Sequence, residues 1–261
     1  FMIPAIIFTL VLLIVFIFTI WSIFRQKRLT EIKNDFINNM THELKTPIST
    51  ISLAAQMLGD ASVMKSETMF KHISGVIVDE TKRLRFQVEK VLQMSMFDRK
   101  AATFKRKEVD ANILVHDTVN TFRLKVEASG GKIDANLQAD DAIVFVDEMH
   151  FTNVIFNLMD NAVKYKSDER DLLLTVTTRN ESDDKLVITI ADNGIGIRKE
   201  DLKKIFEKFY RVHTGNRHDV KGFGLGLAYV HNVVKALGGS IHAESDFGKG
   251  TKFIITLPLM R

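Results

Sequence analysis

The first 24 residues of this chain contain no Asp, Glu, Lys or Arg, although the whole sequence of 261 residues holds 36 basic and 32 acidic side chains. A helix rises about 1.5 Å per residue, so a stretch of this length crosses a hydrocarbon core of roughly 30 Å. Pro4 and Trp21 stand near its two ends, where the membrane interfaces are expected. The sequence therefore predicts a transmembrane helix over residues 1–24.

A basic cluster follows the apolar stretch. Arg25, Lys27 and Arg28, with Lys33 shortly after, have no counterpart upstream. By the positive-inside rule, the chain after Arg25 is predicted to be cytoplasmic and anchored in the inner membrane, with Phe1 facing outward. A buried helix and a signal peptide are the alternatives, although the basic n-region and the small-residue cleavage site of a signal peptide are missing. We expect a longer protein in which a stimulus-binding domain precedes this sequence.

The composition excludes several classes of protein. The chain has no cysteine, which rules out a disulfide scaffold, a zinc–thiolate site and a cysteine nucleophile. Its formal net charge of +4 is too small to indicate a nucleic-acid partner, so we expect no direct contact with nucleic acid. With 46% hydrophobic and 26% charged residues, the chain is expected to fold rather than remain disordered.

Residues 25–99 carry the heptad pattern of an all-α helical hairpin. Two helical stretches, one ending near residue 58 and one over residues 66–98, have apolar residues every seven positions and are joined by a turn-rich connection. The two seams contain Ile37, Leu44, Ile51 and Leu58 in the first stretch, and Phe70, Ile77, Leu84 and Val91 in the second. One hairpin cannot cover such seams, so we expect a homodimer in which two hairpins form a four-helix bundle.

His42 occupies the heptad position that points directly away from the core. A neutral imidazole nitrogen there can act as a nucleophile at neutral pH. Glu43 follows directly, and its carboxylate can accept the proton of the other ring nitrogen. Thr46 lies one turn on and on the same face, and Pro47 removes a backbone hydrogen bond, which makes it either a hinge or a tolerated bend. Alone, His42 would be interpreted as an ordinary surface histidine.

Residues 36–48 (FINNMTHELKTPI) resemble the phosphoacceptor motif of sensor histidine kinases, the membrane receptors of two-component signalling. The resemblance implies that His42 is phosphorylated from ATP, with Glu43 as its base. It implies that the phosphoryl group then passes to an aspartate of a separate response regulator. It also implies that the hydroxyl of Thr46 orients the water that hydrolyses the phosphorylated regulator.

Beyond residue 99 the heptads stop, and short apolar runs alternate with helical patterns. Strands are predicted over 133–137, 143–146, 172–178, 186–191, 240–243 and 253–257. Helices are predicted over 112–128, 148–165 and 225–237. This order predicts an α/β two-layer sandwich over residues 100–261, with a mixed sheet on one side and helices on the other. The chain is thus predicted to be multidomain, with a span, a hairpin and this sandwich.

A polar stripe on the helix predicted over 148–165 can bind a cation. Asn157, Asn161 and Lys164 share one face of this helix, at i, i+4 and i+7, while other positions carry apolar residues. Amide oxygens suit a hard divalent cation that also holds phosphate oxygens, and the lysine adds positive charge. A solvated polar face would explain one such residue but explains the set poorly.

Two glycine-containing segments can bind a nucleotide. Asp192 ends a predicted strand, where its carboxylate can accept a hydrogen bond from the amine of adenine, and Gly194 and Gly196 let the backbone come close to the base. Residues 222–226 (GFGLG) open a helix, where backbone amides can bind a triphosphate. This second segment is not a Rossmann turn, since no strand precedes it, and no P-loop sequence appears. A simple turn is the alternative for the first segment.

An aromatic and basic stretch over residues 206–211 (FEKFYR) and a tight turn over residues 248–251 (GKGT) complete the set. In their order along the chain, these five segments resemble the N, G1, F, G2 and G3 boxes of the histidine-kinase ATPase domain, whose Bergerat fold is shared by gyrase, Hsp90 and MutL ATPases. On this resemblance, Asn161 and Asn157 hold Mg²⁺ and Asp192 reads the adenine of ATP. Further ATP contacts are implied for Lys164, Tyr165, Gly194, Gly196, Arg211, Gly222, Gly224, Leu225, Gly226 and Thr251. Residues 212–221 are implied to form a mobile polar lid. Lys166 departs from the family, because a small hydroxyl residue is common there.

The distance from the membrane to His42 gives a further expectation. Only about a dozen residues separate Arg28 from His42, too few for the coiled relay domain frequently found below the membrane in such receptors. The span and the phosphoacceptor helix are therefore expected to form one continuous rod. The predicted function is a dimeric membrane histidine kinase that also dephosphorylates its regulator. A non-catalytic nucleotide-binding scaffold and an ATP-driven conformational clamp of the gyrase or Hsp90 type are the alternatives.

Overall fold

A long helical hairpin forms the first part of the structure. The computed structural model describes residues 2–60, 63, 66–98, 104–212 and 224–260. Helix α1 (Met2–Leu58) runs without a break from the apolar stretch through the phosphoacceptor segment, so the predicted continuous rod is confirmed. Helix α2 (Glu67–Asp98) folds back against it. Among the described residues, only α1 is long and apolar enough to cross a membrane, and none of its apolar window is buried.

The hairpin buries little within a single chain. Its small core lies near the turn and contains Ala54, Val63 and Ile73, each no more than 5% exposed. Two of the predicted seam residues, Ile37 and Phe70, remain 48% and 46% exposed. Since apolar side chains at heptad positions need a partner surface, these residues are available to a second hairpin.

The C-terminal domain (residues 104–260) is an α/β sandwich, as predicted. Its elements are β1 (Lys107–Asp110), α3 (Ala111–Ala128), β2 (Lys132–Leu137), β3 (Ile143–Val146), α4 (Glu148–Lys164), β4 (Leu173–Ser182), β5 (Lys185–Asp192), α5 (Lys199–Leu202), α6 (Gly226–Ala236), β6 (Ser240–Asp246) and β7 (Gly250–Pro258). The main sheet has the order β2-β4-β5-β7-β6, in which only β2 and β4 are parallel, and β1 pairs with β3 separately.

The six predicted strands are all present, and two short elements were not predicted. Strand β3 has the predicted bounds, whereas β4 and β5 are longer than predicted and form a hairpin. Strand β1 has the sequence KEVD, in which only Val109 is apolar, so the alternation of a half-buried strand is missing. It exists because it pairs with β3. The short helix α5 likewise has no buried residue.

Helices α3, α4 and α6 cover one face of the main sheet and enclose the core of the domain. Phe122, Phe151 and Leu158 from the helices and Ile188 and Ile255 from the strands are at most 1% exposed. Aspartates fix the starts of two helices by accepting backbone hydrogen bonds, Asp110 for α3 and Asp147 for α4. These caps set the position of α4, which carries the predicted polar stripe.

Helix α1 also contacts the C-terminal domain. Phe36 and Met40 pack against the edge of its core. The rings of Phe36 and Phe209 lie with their centroids 4.4 Å apart. Phe36 stands six residues before His42, or about 9 Å along the helix axis. The segment that leads to His42 therefore rests on this domain.

Candidate functional site

The side chain of His42 is exposed on α1, as the heptad pattern predicts. Thr46 is exposed one turn further on, and its hydroxyl donates a hydrogen bond to the His42 carbonyl at 3.3 Å. Glu43 is half-buried, and within the described residues no hydrogen bond joins its carboxylate to the imidazole. Pro47 is buried. The imidazole is therefore accessible to a reactant from solvent or from another domain.

A pocket opens in the C-terminal domain between α4, the end of β5, the start of β7 and the residues before α6. It is lined by Asn161, Tyr165, Asp192, Ile195, Gly196, Ile197, Ile205, Tyr210, Arg211, Val212, Leu227, Phe247, Thr251 and Phe253. Its wall is mostly apolar, with a few polar groups that converge on one space. Pockets for small molecules typically have this composition.

Asp192 is the half-buried acid of this pocket. Its Oδ1 accepts hydrogen bonds from the backbone N–H groups of Gly194 at 2.8 Å and Thr251 at 3.3 Å. Burial raises the pKa of the Asp192 carboxyl above its usual value, and these two hydrogen bonds oppose the rise. Both bonds fall on Oδ1, which leaves Oδ2 to accept a hydrogen bond from a ligand amine.

The glycines after Asp192 are required by the protein's own backbone. A Cβ atom at Gly194 would lie 2.4 Å from the Tyr165 carbonyl oxygen. At Gly196, where φ is +69°, a Cβ atom would lie 2.1 Å from the Asp246 carbonyl oxygen. The turn thus passes tightly between the end of α4 and the β6–β7 turn. The sequence predicted that these glycines let the backbone come close to a nucleobase. In the structure, they let three backbone segments of the protein lie close together.

Of the two predicted asparagines of α4, Asn161 lines the pocket and Asn157 lies beside the N-terminus of α6. The side-chain amide of Asn157 donates to the Asn153 carbonyl at 2.7 Å, and a Cβ atom on Gly226 would lie 3.2 Å from its Oδ1. The Asn157 amide oxygen therefore faces the first residue of α6, where a cation and phosphates are expected.

Lys164 does not line the pocket. Its ammonium group lies 2.7 Å from the carboxylate of Asp160, which is only 5% exposed and is also bound by Lys125 at 2.6 Å. Burial raises the pKa of Asp160, but the charges and hydrogen bonds of the two lysines outweigh it and hold the pKa below its usual value. A buried carboxylate needs such compensation, which directs Lys164 to the α3–α4 interface.

Two neighbouring side chains have defined positions at the C-terminal end of α4. Tyr165 lines the pocket; burial raises the pKa of its hydroxyl, and the nearby charge of Arg211 opposes the rise. Lys166 donates a hydrogen bond to the Ser129 carbonyl at 2.7 Å. The residue that departs from the family pattern thus stabilises the end of α3 and is not among those that line the pocket.

Within the described residues, the start of α6 has no side-chain cap. The residue before the helix, Leu225, is buried and offers no side-chain hydrogen bond to the first turn. Gly224 has a φ of +68°, and its carbonyl accepts a hydrogen bond from Phe209 N at 3.1 Å. Backbone N–H groups at such a helix start can bind a phosphate. Gly222 and most of the predicted lid (residues 213–221) lie outside the described residues.

The protein groups at this site fit a phosphate-bound Mg²⁺ ion better than an all-protein cage. No cluster of three or more His, Asp or Glu side chains that could hold a metal occurs in the described parts of the chain. The available protein ligands are the amide oxygens of Asn157 and Asn161. Mg²⁺ is commonly held by one or two protein oxygens together with phosphates and water.

The apolar wall of the pocket was not predicted. Ile195 and Ile197 stand inside the predicted glycine turn, and Phe253 follows Thr251 by two residues on β7, so strand alternation would have placed it on the same face. Tyr210, which donates to Asp201 at 2.5 Å, stands in the aromatic and basic stretch over residues 206–211, whereas Phe247, which is 60% exposed at the rim, gave no sequence signal. Only the folded chain brings them to the pocket.

Two protein families match the chain. Residues 32–100 match the His Kinase A (phospho-acceptor) domain. Residues 146–261 match the family described as histidine kinase-, DNA gyrase B- and HSP90-like ATPase. The first match contains His42, and the second contains the whole pocket.

The similar curated proteins are bacterial sensor proteins. The sensor protein RprX of Bacteroides fragilis is 70% identical over 261 residues, which are all of this chain and 50% of that protein. The sensor histidine kinase WalK of Bacillus subtilis is 32% identical over 239 residues, 92% of this chain and 39% of that protein. The chain thus spans half or less of the length of these two relatives.

Solved structures share the fold at low sequence identity. The histidine kinase AdeS of Acinetobacter baumannii has a TM-score of 0.62 at 22% identity, over 84% of this chain and 98% of that chain. ShkA in complex with AMPPNP has a TM-score of 0.64 at 19% identity, over 87% and 46% of the two chains. ThkA in complex with the response regulator TrrA has a TM-score of 0.61 at 21% identity, over 90% and 64%.

Proposed function

Because this chain belongs to the histidine kinase family, we propose that it transfers the γ-phosphoryl group of ATP to His42 and then to an aspartate of a response regulator. One observation carries the proposal: the same chain presents an exposed histidine on a helix and a pocket lined by a half-buried acid, Asp192. A histidine without the pocket has no phosphoryl donor, and the pocket without the histidine has no acceptor.

The pocket gives the nucleotide a direction. The apolar wall and Asp192 suit the adenine, whose exocyclic amine can donate to Oδ2. The phosphates then extend toward Arg211, Asn157 and the first turn of α6, to which the N-cap residue gives no side-chain hydrogen bond. Mg²⁺ bound by Asn161 and Asn157 would neutralise part of the phosphate charge.

The residues around His42 supply the remaining chemistry. A ring nitrogen of the neutral imidazole forms a bond to the γ-phosphorus, the bond from this phosphorus to the bridging oxygen breaks, and ADP leaves. The carboxylate of Glu43 accepts the proton of the other ring nitrogen. The phosphoryl group passes next to a regulator carboxylate, and the hydroxyl of Thr46 orients a water for the reverse, phosphatase, activity.

The proposed setting is a dimer in the inner membrane, with residues 1–24 as the span, 25–99 as the hairpin and 100–261 as the catalytic domain. The exposed apolar stretch of α1 supports the span, and the exposed Phe70 supports a second hairpin. Sedimentation of Phe70→Asp should show weakened dimers. Leu124→Asp, at a residue that is 76% exposed in the C-terminal domain, should leave the dimer intact.

Labelling with γ-labelled ATP and Mg²⁺ tests the kinase reaction. We expect the chain to acquire label that is lost in acid and stable in alkali, and His42→Ala to acquire none. His72→Ala is the matched control, because His72 is exposed on the other helix of the same hairpin. Equal labelling of His42→Ala and His72→Ala would contradict the proposal.

The same experiment separates the two alternatives. A conformational clamp would hydrolyse ATP and leave no label on the chain. A nucleotide-binding scaffold would bind ATP and neither hydrolyse it nor acquire label.

A further inference from the structure

Arg170 joins two turns that border the pocket, although it belongs to none of the nucleotide-binding segments. It lies on the loop between α4 and β4. Its Nε donates to the Asn193 carbonyl at 2.6 Å, and its Nη2 donates to the carbonyls of Gly194 at 2.9 Å and Gly248 at 2.5 Å. One guanidinium group therefore binds both the turn after Asp192 and the β6–β7 turn.

Both of these turns contribute residues to the pocket wall. Asp192 directly precedes the Asn193 and Gly194 carbonyls, and Phe247 directly precedes Gly248. A second contact between the turns, from Gly248 N to the Ile195 carbonyl at 2.7 Å, lies close by. A change in the distance between the turns would therefore change the width of the pocket at its Asp192 end.

The turn after Asp192 also binds the loop that carries Arg170. The side-chain amide of Asn193 donates to the Asp171 carbonyl at 3.0 Å, and its Oδ1 accepts from Leu173 N at 2.8 Å. The loop that carries Arg170 is thus fixed to the turn from both sides. Because this loop is anchored, the guanidinium of Arg170 can hold the β6–β7 turn in place.

Only arginine can make this set of contacts. The guanidinium is planar and has five donors in a fixed fork, whereas a lysine ammonium is a compact point charge. The side chain is exposed, so the three carbonyls can bind water when it is absent. Its loss should therefore loosen the turns and leave the domain folded.

We propose that Arg170 is a positioning residue of the nucleotide pocket, which sets nucleotide affinity by holding the two turns at the adenine end in their binding arrangement. The inference rests on the proposed ATP-binding function. A side chain that pre-organises a pocket lowers the cost of ordering the site when a ligand binds. Arg170 itself does not line the pocket, so it acts through the turns and not by touching the nucleotide.

The test compares Arg170→Ala, Arg170→Lys and Arg170→Gln with the wild-type chain in detergent or lipid discs. Autophosphorylation is measured against ATP concentration, and adenosine and ATP are each titrated against a bound fluorescent nucleotide. Arg179→Ala is the matched control, because Arg179 is an exposed arginine of the same domain paired only distantly with Glu181, at 4.0 Å. Thermal unfolding of every variant is measured in parallel.

We expect Arg170→Ala to raise the KM for ATP roughly tenfold, with an unchanged plateau rate. The affinities for adenosine and for ATP should fall by the same factor, because the affected end of the pocket binds the base. Arg170→Lys should not restore affinity, Arg170→Gln should restore part of it, and Arg179→Ala should match the wild type. If Arg170→Ala does not fold, Arg170→Gln and Arg170→Lys give the same comparison.

Three results would overturn the inference: a wild-type KM in Arg170→Ala, full restoration of affinity by Arg170→Lys, or a lower affinity for ATP together with an unchanged affinity for adenosine. The last two would assign the effect to charge near the phosphates. A wild-type chain that binds no adenine nucleotide would instead overturn the proposed function, so the two failures are distinguishable.

Discussion

Asp192 meets two opposing demands at the scale of a single residue. In the proposed function, the ionised carboxylate of Asp192 accepts a hydrogen bond from the adenine amine, whereas its burial disfavours the ionised form and raises its pKa. A carboxyl whose pKa rises on folding contributes its stability below the pKa of the unfolded chain, and this contribution is lost as the pH rises through the folded value. At neutral pH, the ionised carboxylate of Asp192 is therefore expected to lower the free energy of unfolding.

Asp192→Asn should separate these demands. Its Oδ1 can still accept from Gly194 and Thr251, so the unfolding temperature at pH 7 should equal or exceed that of the wild type. Nucleotide affinity should fall roughly tenfold or more, because an amide N–H would face the adenine amine. Thermal unfolding and nucleotide titration measure both, with Asp134→Asn, at an exposed residue of β2, as the control. Lower stability together with unchanged affinity would contradict this account.

The pH dependence of binding follows from the same residue. Protonated Asp192 cannot accept with both oxygens, so nucleotide affinity should weaken as the pH falls through its raised pKa. The loss should begin at a higher pH than for an ordinary aspartate, and Asp192→Asn should show no such dependence. Titrations with adenosine, which has no titrating phosphate, measure it.

Gly196 has a steric requirement beyond its dihedral angle. Gly196→Ala should cost more stability than Gly130→Ala, because both residues have positive φ but a Cβ atom meets the Asp246 carbonyl only at Gly196. The conformational cost alone is about 1–2 kcal/mol, which Gly130→Ala should approach. Denaturant unfolding of the C-terminal domain measures the difference, and equal costs at the two positions would show that the turn can relax.

At the scale of elements, the packing of α3 on α4 depends on a compensated charge. Lys125 comes from α3, while Asp160 and Lys164 come from α4. A carboxyl with a lowered pKa contributes stability above the unfolded pKa, and this contribution is lost as the pH falls through the folded value. For Asp160 that window lies at and below the usual range of a carboxyl group.

Removing both lysines, in Lys125→Met with Lys164→Met, should cost about 3–5 kcal/mol at pH 7, because a buried carboxylate would lose the two positive charges that stabilise its ionised form. The cost should shrink in acid, where Asp160 of the variant becomes neutral. Lys107→Met is the control; its exposed pair with Glu148 is expected to contribute about 0–1 kcal/mol. Denaturant unfolding at pH 7 and in mild acid measures both, and a cost independent of pH would contradict this role.

At the scale of the whole molecule, α1 connects the apolar stretch to His42 as one helix. A rotation of the apolar end must therefore reach His42, unless the helix bends or unwinds at Pro47. The contact between Phe36 and Phe209 would then move with the rod. The apolar stretch and the contact with the C-terminal domain are thus joined by one element.

Insertions after Arg28 test this link. Two added helical residues turn the rod by about 200°, whereas seven turn it by about 700°, which returns nearly to the same face. We expect the two-residue insertion to change autophosphorylation in membranes and the seven-residue insertion to leave it near the wild-type level. Equal rates in all three chains would show that α1 does not transmit rotation.

Local patterns were enough to predict most elements but not all. Strand β3 was predicted with its bounds because Ile143 to Val146 is a short apolar run between turns. Strand β1 was missed because its sequence carries charge and only its partner strand orders it. The mixed sheet followed from the order of elements, since helices and strand pairs alternate along the chain.

The candidate site was predicted in its polar part. Asn161, Asp192 and Thr251 stand in recognisable segments, and the structure brings them to one pocket. The position of Lys164 could not be derived, because its helical face is compatible with either the pocket or Asp160. Burial of that carboxylate, which only packing produces, decides between them.

The sequence by itself determined the apolar stretch, the outward direction of His42 and the order of strands and helices, because charge and periodicity act over a few residues. The tertiary structure alone decided that Arg170 binds two distant turns, that Phe247 borders the pocket and that Lys164 serves the α3–α4 interface. Hydrogen bonds and burial between residues far apart in the chain exist only after folding, and no local pattern encodes them.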